Sequence, residues 1–217
     1  MTVKIKINLN IFLFIVLFTI TKQIEIYALV MIFALIHELG HLTCGLLLGF
    51  QPSNLRILPL GFAVEFRIKI DDYNHKIGKS NILTVKKILI NLAGPITNLL
   101  MIALGGLWHW NVNTIYANWI VFFVNMMPIY PLDGGRIINN ILKILVGNLK
   151  ASILTNKISN GLVIIITIIS SIAIYYYKNI AILFAVMFLW SLIIYENKKF
   201  NTYYKIYKTI DKEEIYG

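Results

Sequence analysis

The stretch His37-Glu38-Leu39-Gly40-His41 lies inside an apolar segment that runs from Ile24 to Phe50. On a helix, residues four apart lie about 40° from each other around the axis, so the imidazoles of His37 and His41 can bind one Zn²⁺ ion. Glu38 would lie beside that ion, where a carboxylate can accept a proton from water. An ionisable side chain near the centre of a bilayer costs about 2.5–3.5 kcal/mol or more. Three such side chains on one apolar segment therefore indicate a metal site rather than a chance pentapeptide.

The composition independently indicates a membrane protein. Hydrophobic residues make up 58% of the 217 residues and charged residues only 14%, and the mean hydropathy is +0.74. Soluble domains usually contain about 25% charged residues. We predict an all-α integral membrane protein with six transmembrane helices, in the segments 8–21, 24–49, 82–107, 115–147, 159–177 and 179–195.

Two of these segments have features of their own. The first follows Lys4 and Lys6, as a signal peptide would, but no small-residue cleavage site follows it, so we expect a retained span. The fourth is too long for one straight helix and contains Pro128 and Pro131, which predicts an interruption. The expected domain is a six-span core over residues 1–196 with a cytoplasmic tail over 197–217.

The net charge of +10 has a topological explanation. Lysine and arginine are concentrated in alternate connections: the stretch 50–87 contains seven of them, whereas 108–114 contains no charged residue. This is the positive-inside pattern for six spans with both termini in the cytoplasm. The charge is therefore assigned to the lipid bilayer surface rather than to nucleic acid, and the second span would place His37 and His41 toward the cytoplasmic leaflet.

A zinc site with an open position for water needs a third protein ligand. The candidate is Asp133, in the stretch from Asn125 to Arg136, which contains two prolines and the pair Gly134-Gly135. Prolines break a helix, and glycines permit backbone geometries closed to other residues. Such irregular backbone is tolerated at membrane depth only where it lines a buried or wet cavity. In the alternative interpretation Asp133 only caps local backbone amides, and Cys44, on the same helix face as His41, becomes the next candidate ligand.

Asn125 is a polar residue in an apolar run. It is either an interhelical hydrogen-bond partner or a catalytic amide that contacts substrate or a developing oxyanion.

The segment 55–70 predicts a small membrane-associated β-hairpin after the second helix. Apolar and charged residues alternate from Val64 to Ile70, which is the period of a half-buried strand, and the turn is expected near Pro59–Gly61. An open strand edge can pair with an extended peptide, and proteolysis needs an extended substrate. The alternative is a surface ribbon that only closes the loop.

Three matches make the chain resemble the site-2 protease family of intramembrane zinc metalloproteases. They are His37–His41, the stretch Asn125–Gly135 with its Pro-Leu-Asp-Gly-Gly core, and Ala93-Gly94-Pro95 followed by Asn98. The resemblance implies that His37, His41 and Asp133 bind one Zn²⁺ per chain and that Glu38 is the catalytic base. It also implies a six-span core around a buried, water-accessible metal.

A narrower resemblance is to the stage IV sporulation FB group. It rests on Leu58-Pro59-Leu60-Gly61 with Val64-Glu65, and on the stretch Phe123–Pro131; Gly61-Phe62 departs from the expected Gly-Gly. Members of this group often have a CBS domain after the last span, where this chain has only residues 196–217.

The narrower resemblance implies cleavage of a membrane-embedded or membrane-associated protein near the cytoplasmic face. The expected substrate is a pro-sigma factor of sporulation, and inhibitory membrane partners are a further expectation. Two other classes stay open: a non-proteolytic zinc-binding membrane protein such as a transporter, and a catalytically silent interaction partner.

Overall fold

The computed structural model describes residues 4–67 and 77–216. Within these residues a short strand and a short helix precede the helix with the two histidines, a β-hairpin follows it, and five further helices complete the chain. The elements are β1 (Lys4–Ile7), α1 (Asn10–Ile20), α2 (Ile24–Leu47), β2 (Gln51–Leu58), β3 (Gly61–Arg67), α3 (Ile77–Leu107), α4 (Val112–Met126), α5 (Asp133–Val146), α6 (Asn148–Tyr177) and α7 (Ile180–Tyr216).

Four helices are long and apolar enough to cross a membrane: α2, residues 81–107 of α3, residues 148–176 of α6, and residues 180–206 of α7. The other two predicted spans form shorter helices. Segment 8–21 gives α1, whose 11 residues reach only about 16 Å, roughly half the hydrocarbon thickness. The largely helical membrane protein is confirmed, whereas six spans stays a prediction.

The predicted interruption of the fourth segment is present. Helix α4 ends at Met126 and α5 begins at Asp133, with both prolines in the connection between them. Helix α7 continues without a break from the last predicted span into the predicted tail as far as Tyr216, and the division between core and tail at residue 196 stays a prediction.

The predicted hairpin is also present, with β2 antiparallel to β3 and Leu58 paired with Gly61 across a turn of two residues. The sequence did not predict β1, which pairs in parallel with β2 and completes a three-stranded sheet in the order β1-β2-β3. Within the described residues β3 therefore has one strand partner and one open edge. The last residues of the predicted alternation, 68–70, lie outside the described residues.

Helix α2 lies at the centre of the packing, in contact with α3, α4 and β3. Phe33 and Ala34 on α2 form a buried cluster with Ala117 and Val121 on α4. The approach of α2 to α3 is so close that a Cβ at Gly40 would overlap the side chain of Thr97. Helix α5 packs against α3 as well, and the side chains of His37 and His41 in α2 reach Asp133 at the start of α5 directly.

Candidate metal site

Three side chains from two distant parts of the sequence meet in the interior. The Nε2 atom of His37 lies 2.8 Å from Oδ2 of Asp133, the Nε2 atom of His41 lies 2.9 Å from the same oxygen, and the two Nε2 atoms are 3.0 Å apart. All three residues are buried, with exposed fractions of 3%, 6% and 5%. Among the described residues this is the group of histidine, cysteine and carboxylate side chains that could hold a metal ion.

The chemistry of the donor set fits a cation. The Nδ1 atom of His41 lies 2.6 Å from the carbonyl oxygen of Ile90, which can only accept, so Nδ1 must carry the proton. Neutral His41 then has its lone pair on Nε2, facing the Asp133 carboxylate, which is also an acceptor. Two acceptors at this distance in a dry interior repel each other unless a cation or a proton lies between them. In a tetrahedral Zn²⁺ site each ligand atom lies about 2.0–2.2 Å from the ion, so two ligand atoms are about 3.4 Å apart. The two Nε2 atoms and Oδ2 of Asp133 would need to move apart only slightly to hold the ion.

Gly94 on α3 leaves the space beside the two nitrogens empty. A Cβ at this position would overlap Nε2 of His41 and would lie 2.6 Å from Nε2 of His37. A side chain of any size at residue 94 would therefore occupy the volume beside the Nε2 atoms of both histidines. This explains in steric terms why a glycine lies in the middle of a long membrane helix.

Gly94→Ala is expected to abolish zinc binding although it changes none of the three ligands, because its methyl group fills the space that an ion would need. Zinc content of the purified protein, measured by plasma mass spectrometry, checks this. The matched control is Gly106→Ala on the same helix, where a Cβ would meet nothing within 4 Å. Full zinc content in Gly94→Ala would show that the metal lies elsewhere.

The connection between α4 and α5 positions Asp133 at the first residue of α5. Gly134 and Gly135 were predicted to supply unusual backbone geometry, and this is wrong, since both are helical and neither has a positive φ. They are required for close packing instead. A Cβ at Gly134 would overlap the carbonyl of Met126, and a Cβ at Gly135 would overlap the backbone of Ile129. The connection thus folds back onto the first turn of α5 and holds Asp133 against α2.

Glu38 is buried and 8% exposed. Its Oε1 atom accepts a hydrogen bond from the backbone N–H of Val64 on β3. Glu38 directly follows His37 in α2, so one turn of this helix contains both a candidate metal ligand and a carboxylate hydrogen-bonded to the sheet.

The structure does not bring two other candidates into this group. The Nδ2 atom of Asn125 donates to the carbonyl oxygen of Val121, 3.0 Å away on its own helix, and the proposed catalytic role of this amide stays a prediction. Cys44 is a half-buried free thiol and is not part of the group formed by the described residues.

Sequence reasoning missed the residues that hold the histidines. The Nδ1 atom of His37 contacts Oδ1 of Asn98, and Asn98 contacts Asn118 on α4. Asn98 was singled out only as part of the family resemblance, and Asn118 carried no signal except that an amide is unusual in an apolar helix.

No protein-family model matches this chain. Over 144 residues it is 26% identical to stage IV sporulation protein FB of Bacillus subtilis (strain 168). The match covers 62% of this chain and 46% of that protein, so the chain spans about half the length of this curated relative. Among solved structures, the site-2 protease from Methanocaldococcus jannaschii superimposes with a TM-score of 0.64 over 88% of this chain and 89% of the other, at 21% identity.

The molecule is therefore a membrane protein with the site-2 protease fold and a buried His-His-Asp group. The shared fold and the sequence similarity both support the resemblance found from the motifs: the chain is similar in sequence to a stage IV sporulation FB protein and in fold to a site-2 protease.

Proposed function

We propose that this protein is an intramembrane zinc metalloprotease in which His37, His41 and Asp133 hold the metal and Glu38 is the general base. The observation that carries the proposal is the buried convergence of the three ligand atoms within 3.0 Å, with Glu38 adjacent on the same apolar helix. The experiment that tests it is co-expression with candidate membrane-anchored substrates, comparing the wild-type protein with Glu38→Gln.

In this proposal the three ligands and Glu38 have different roles in the reaction. When bound, Zn²⁺ supplies Lewis-acid polarisation of a carbonyl and lowers the pKa of water. The three ligands hold it at one place within the protein, and the surrounding helices exclude bulk water. The Glu38 carboxylate accepts the proton from the attacking water and later delivers it to the leaving amine.

The hairpin extends the site toward a substrate. Strand β3 follows α2 closely, since Gly61 lies near Ala34 at one end and the ring of Phe66 lies against Gly45 at the other. The five residue steps from Gly61 to Phe66 span about 16 Å in a strand, and the eleven steps from Ala34 to Gly45 also span about 16 Å in a helix, so the two elements run side by side. Val64, in the middle of the strand, contacts Glu38.

The open edge of β3 faces Glu38. The N–H of Val64 bonds to Glu38 rather than to β2, and backbone groups of alternate residues point the same way, so Phe62 and Phe66 present theirs on this edge too. We propose that an extended substrate segment pairs with this edge. Its scissile bond would then lie between β3 and the His-His-Asp group, and pairing at Val64 would free the Glu38 carboxylate to act as base.

Val64→Pro is expected to reduce cleavage at least tenfold without loss of zinc. Proline removes the outward N–H that the substrate strand would use, whereas the neighbouring residues keep the ladder to β2. Substrate cleavage and zinc content, measured on the same preparations, check this. Val64→Ala is the control, because it keeps the N–H and should retain most activity. Equal cleavage by the two variants would exclude pairing at this edge.

The substrate proposal comes from the relatives. Stage IV sporulation protein FB is by its name a sporulation protein, and we propose a pro-sigma factor as the substrate here, cleaved near the cytoplasmic face. Both termini are proposed to be cytoplasmic. Labelling of single cysteines introduced at Lys205 and Asn113 from each side of the membrane, in a Cys44→Ala background, tests this orientation.

A further inference from the structure

We propose that Asn98 and Asn118 act together as positioning residues that fix the tautomer of His37, so that its Nε2 lone pair faces the metal. The inference rests on the proposed function, because it concerns how this chain prepares one of its own ligands. Asn98 lies on α3 and Asn118 on α4, whereas His37 lies on α2. Three helices therefore meet at one hydrogen-bonded chain.

The two amides are among the most buried polar groups of the described residues, with exposed fractions of 0% for Asn98 and 1% for Asn118. The Nδ2 atom of Asn118 donates to the backbone carbonyl oxygen of Asn98 at 3.1 Å. The Nδ2 atom of Asn98 donates to Oδ1 of Asn118 at 2.5 Å. The remaining amide atom, Oδ1 of Asn98, contacts Nδ1 of His37.

The orientation of both amides follows from the backbone carbonyl. A carbonyl oxygen only accepts, so the Asn118 atom that faces it must be the NH₂ group, and Oδ1 of Asn118 must face Asn98. The Asn98 atom that faces this oxygen must then be its own NH₂ group, which leaves Oδ1 of Asn98 toward His37. Neither amide can turn over alone without placing like groups opposite each other in a dry interior.

The consequence for His37 is a single tautomer. Because Oδ1 of Asn98 only accepts, Nδ1 of His37 must donate, and the lone pair is left on Nε2. If Asn98 were reversed, its NH₂ group would donate to Nδ1, and the proton would move to Nε2. That Nε2–H would bond to Asp133, 2.8 Å away, and this closed pair would compete with the metal. Asn118 excludes the reversed state.

One face of α3 thus supplies a different hydrogen-bond acceptor to each of the two histidines. Ile90 supplies a backbone carbonyl to His41, Gly94 supplies the empty space, and Asn98 supplies a side-chain oxygen to His37. These residues are four apart, so successive turns of α3 serve the site. Only the acceptor from Asn98 needs a second residue, Asn118, to hold its orientation, because a side-chain amide can turn over and a backbone carbonyl cannot.

Zinc competition on the purified full-length protein tests the proposal without any substrate, with Zn²⁺ alone as the probe and a chromophoric chelator as competitor. Asn98→Leu and Asn118→Leu are each expected to weaken zinc affinity about 10–100-fold, the usual effect of losing a partner of a ligating histidine. Asn98→Asp is expected to lose less affinity than Asn98→Leu, because a carboxylate oxygen still accepts from Nδ1–H although its other oxygen would face Oδ1 of Asn118. Asn139→Leu is the control, since this buried amide on α5 contacts Thr155 and not a histidine.

The zinc affinities of these variants distinguish a positioning role of the two amides from a role in packing alone. If the two amides only fill space, leucine of similar size is tolerated, and the buried charge of Asn98→Asp is the damaging change; that result would overturn the proposal. Nitrogen-15 NMR of histidine in the metal-free wild type gives a reading that does not depend on any variant. It should show a proton on Nδ1 of His37, and a neutral His37 with its only proton on Nε2 would also overturn the proposal. A wild-type protein that binds no zinc would contradict the proposed function instead.

Discussion

Asp133→Asn should lose its zinc and all measurable proteolysis. The substitution keeps the size of the side chain but replaces a carboxylate with a neutral amide, which is a poor Zn²⁺ ligand. Since loss of a mere partner of a ligand already costs about 10–100-fold in metal affinity, loss of the ligand itself should cost more. Zinc content after dialysis, with substrate cleavage measured in parallel, checks this.

The matched control for Asp133→Asn is Asn139→Ala on the same helix, a change of similar burial away from the three ligands. It should keep its zinc. If instead Asp133→Asn retains zinc and activity, Asp133 only caps the start of α5, and a third ligand must be sought elsewhere, first at Cys44.

Glu38→Gln should abolish cleavage while zinc content stays at the wild-type level. The amide keeps the shape of the side chain and can still accept from the N–H of Val64, but it cannot take a proton from water. Removal of a general base usually costs about 10²–10⁴-fold in rate. The measurement is cleavage of a substrate that the wild type processes, with zinc determined in the same samples.

Glu25→Gln controls for the loss of a carboxylate from the same helix, because Glu25 is exposed in the first turn of α2. It should cleave at the wild-type rate. Turnover by Glu38→Gln within a few-fold of the wild type would remove Glu38 from the role of base and would favour a zinc-binding protein without proteolysis.

The candidate site could largely be predicted from the sequence, because its chemistry is local. His37 and His41 are four residues apart, so helix geometry alone brings them together, and burial of charge in an apolar helix is costly enough to need a reason. Asp133 could be predicted as a ligand from the sequence because Pro128 and Pro131 must break a membrane helix, and such breaks are found at functional sites.

The parts that sequence reasoning missed depend on contacts between distant elements. Strand β1 is only four residues long and pairs with β2 across two intervening helices, so no local period predicts it. Gly94, Gly134 and Gly135 are explained by the atoms that a Cβ would meet, and a sequence does not contain those distances. Asn118 became significant only when α4 was placed against α3.

The number of membrane spans could not be predicted from hydropathy alone. Hydropathy marks the segment 8–21 as apolar, but the helix it forms has 11 residues, and length rather than polarity decides whether a helix crosses about 30 Å of hydrocarbon. The first and fourth predicted segments therefore depend on how the short helices α1, α4 and α5 pack.

The zinc site itself is most directly tested by X-ray absorption at the zinc K-edge of the purified wild-type protein, with the metal stoichiometry determined on the same sample. The account predicts one zinc per chain with four nitrogen and oxygen ligands at about 2.0–2.2 Å, two of them showing the multiple-scattering signature of imidazole. A sulfur ligand at about 2.3 Å, a single imidazole, or a wild-type protein that binds no zinc would contradict it.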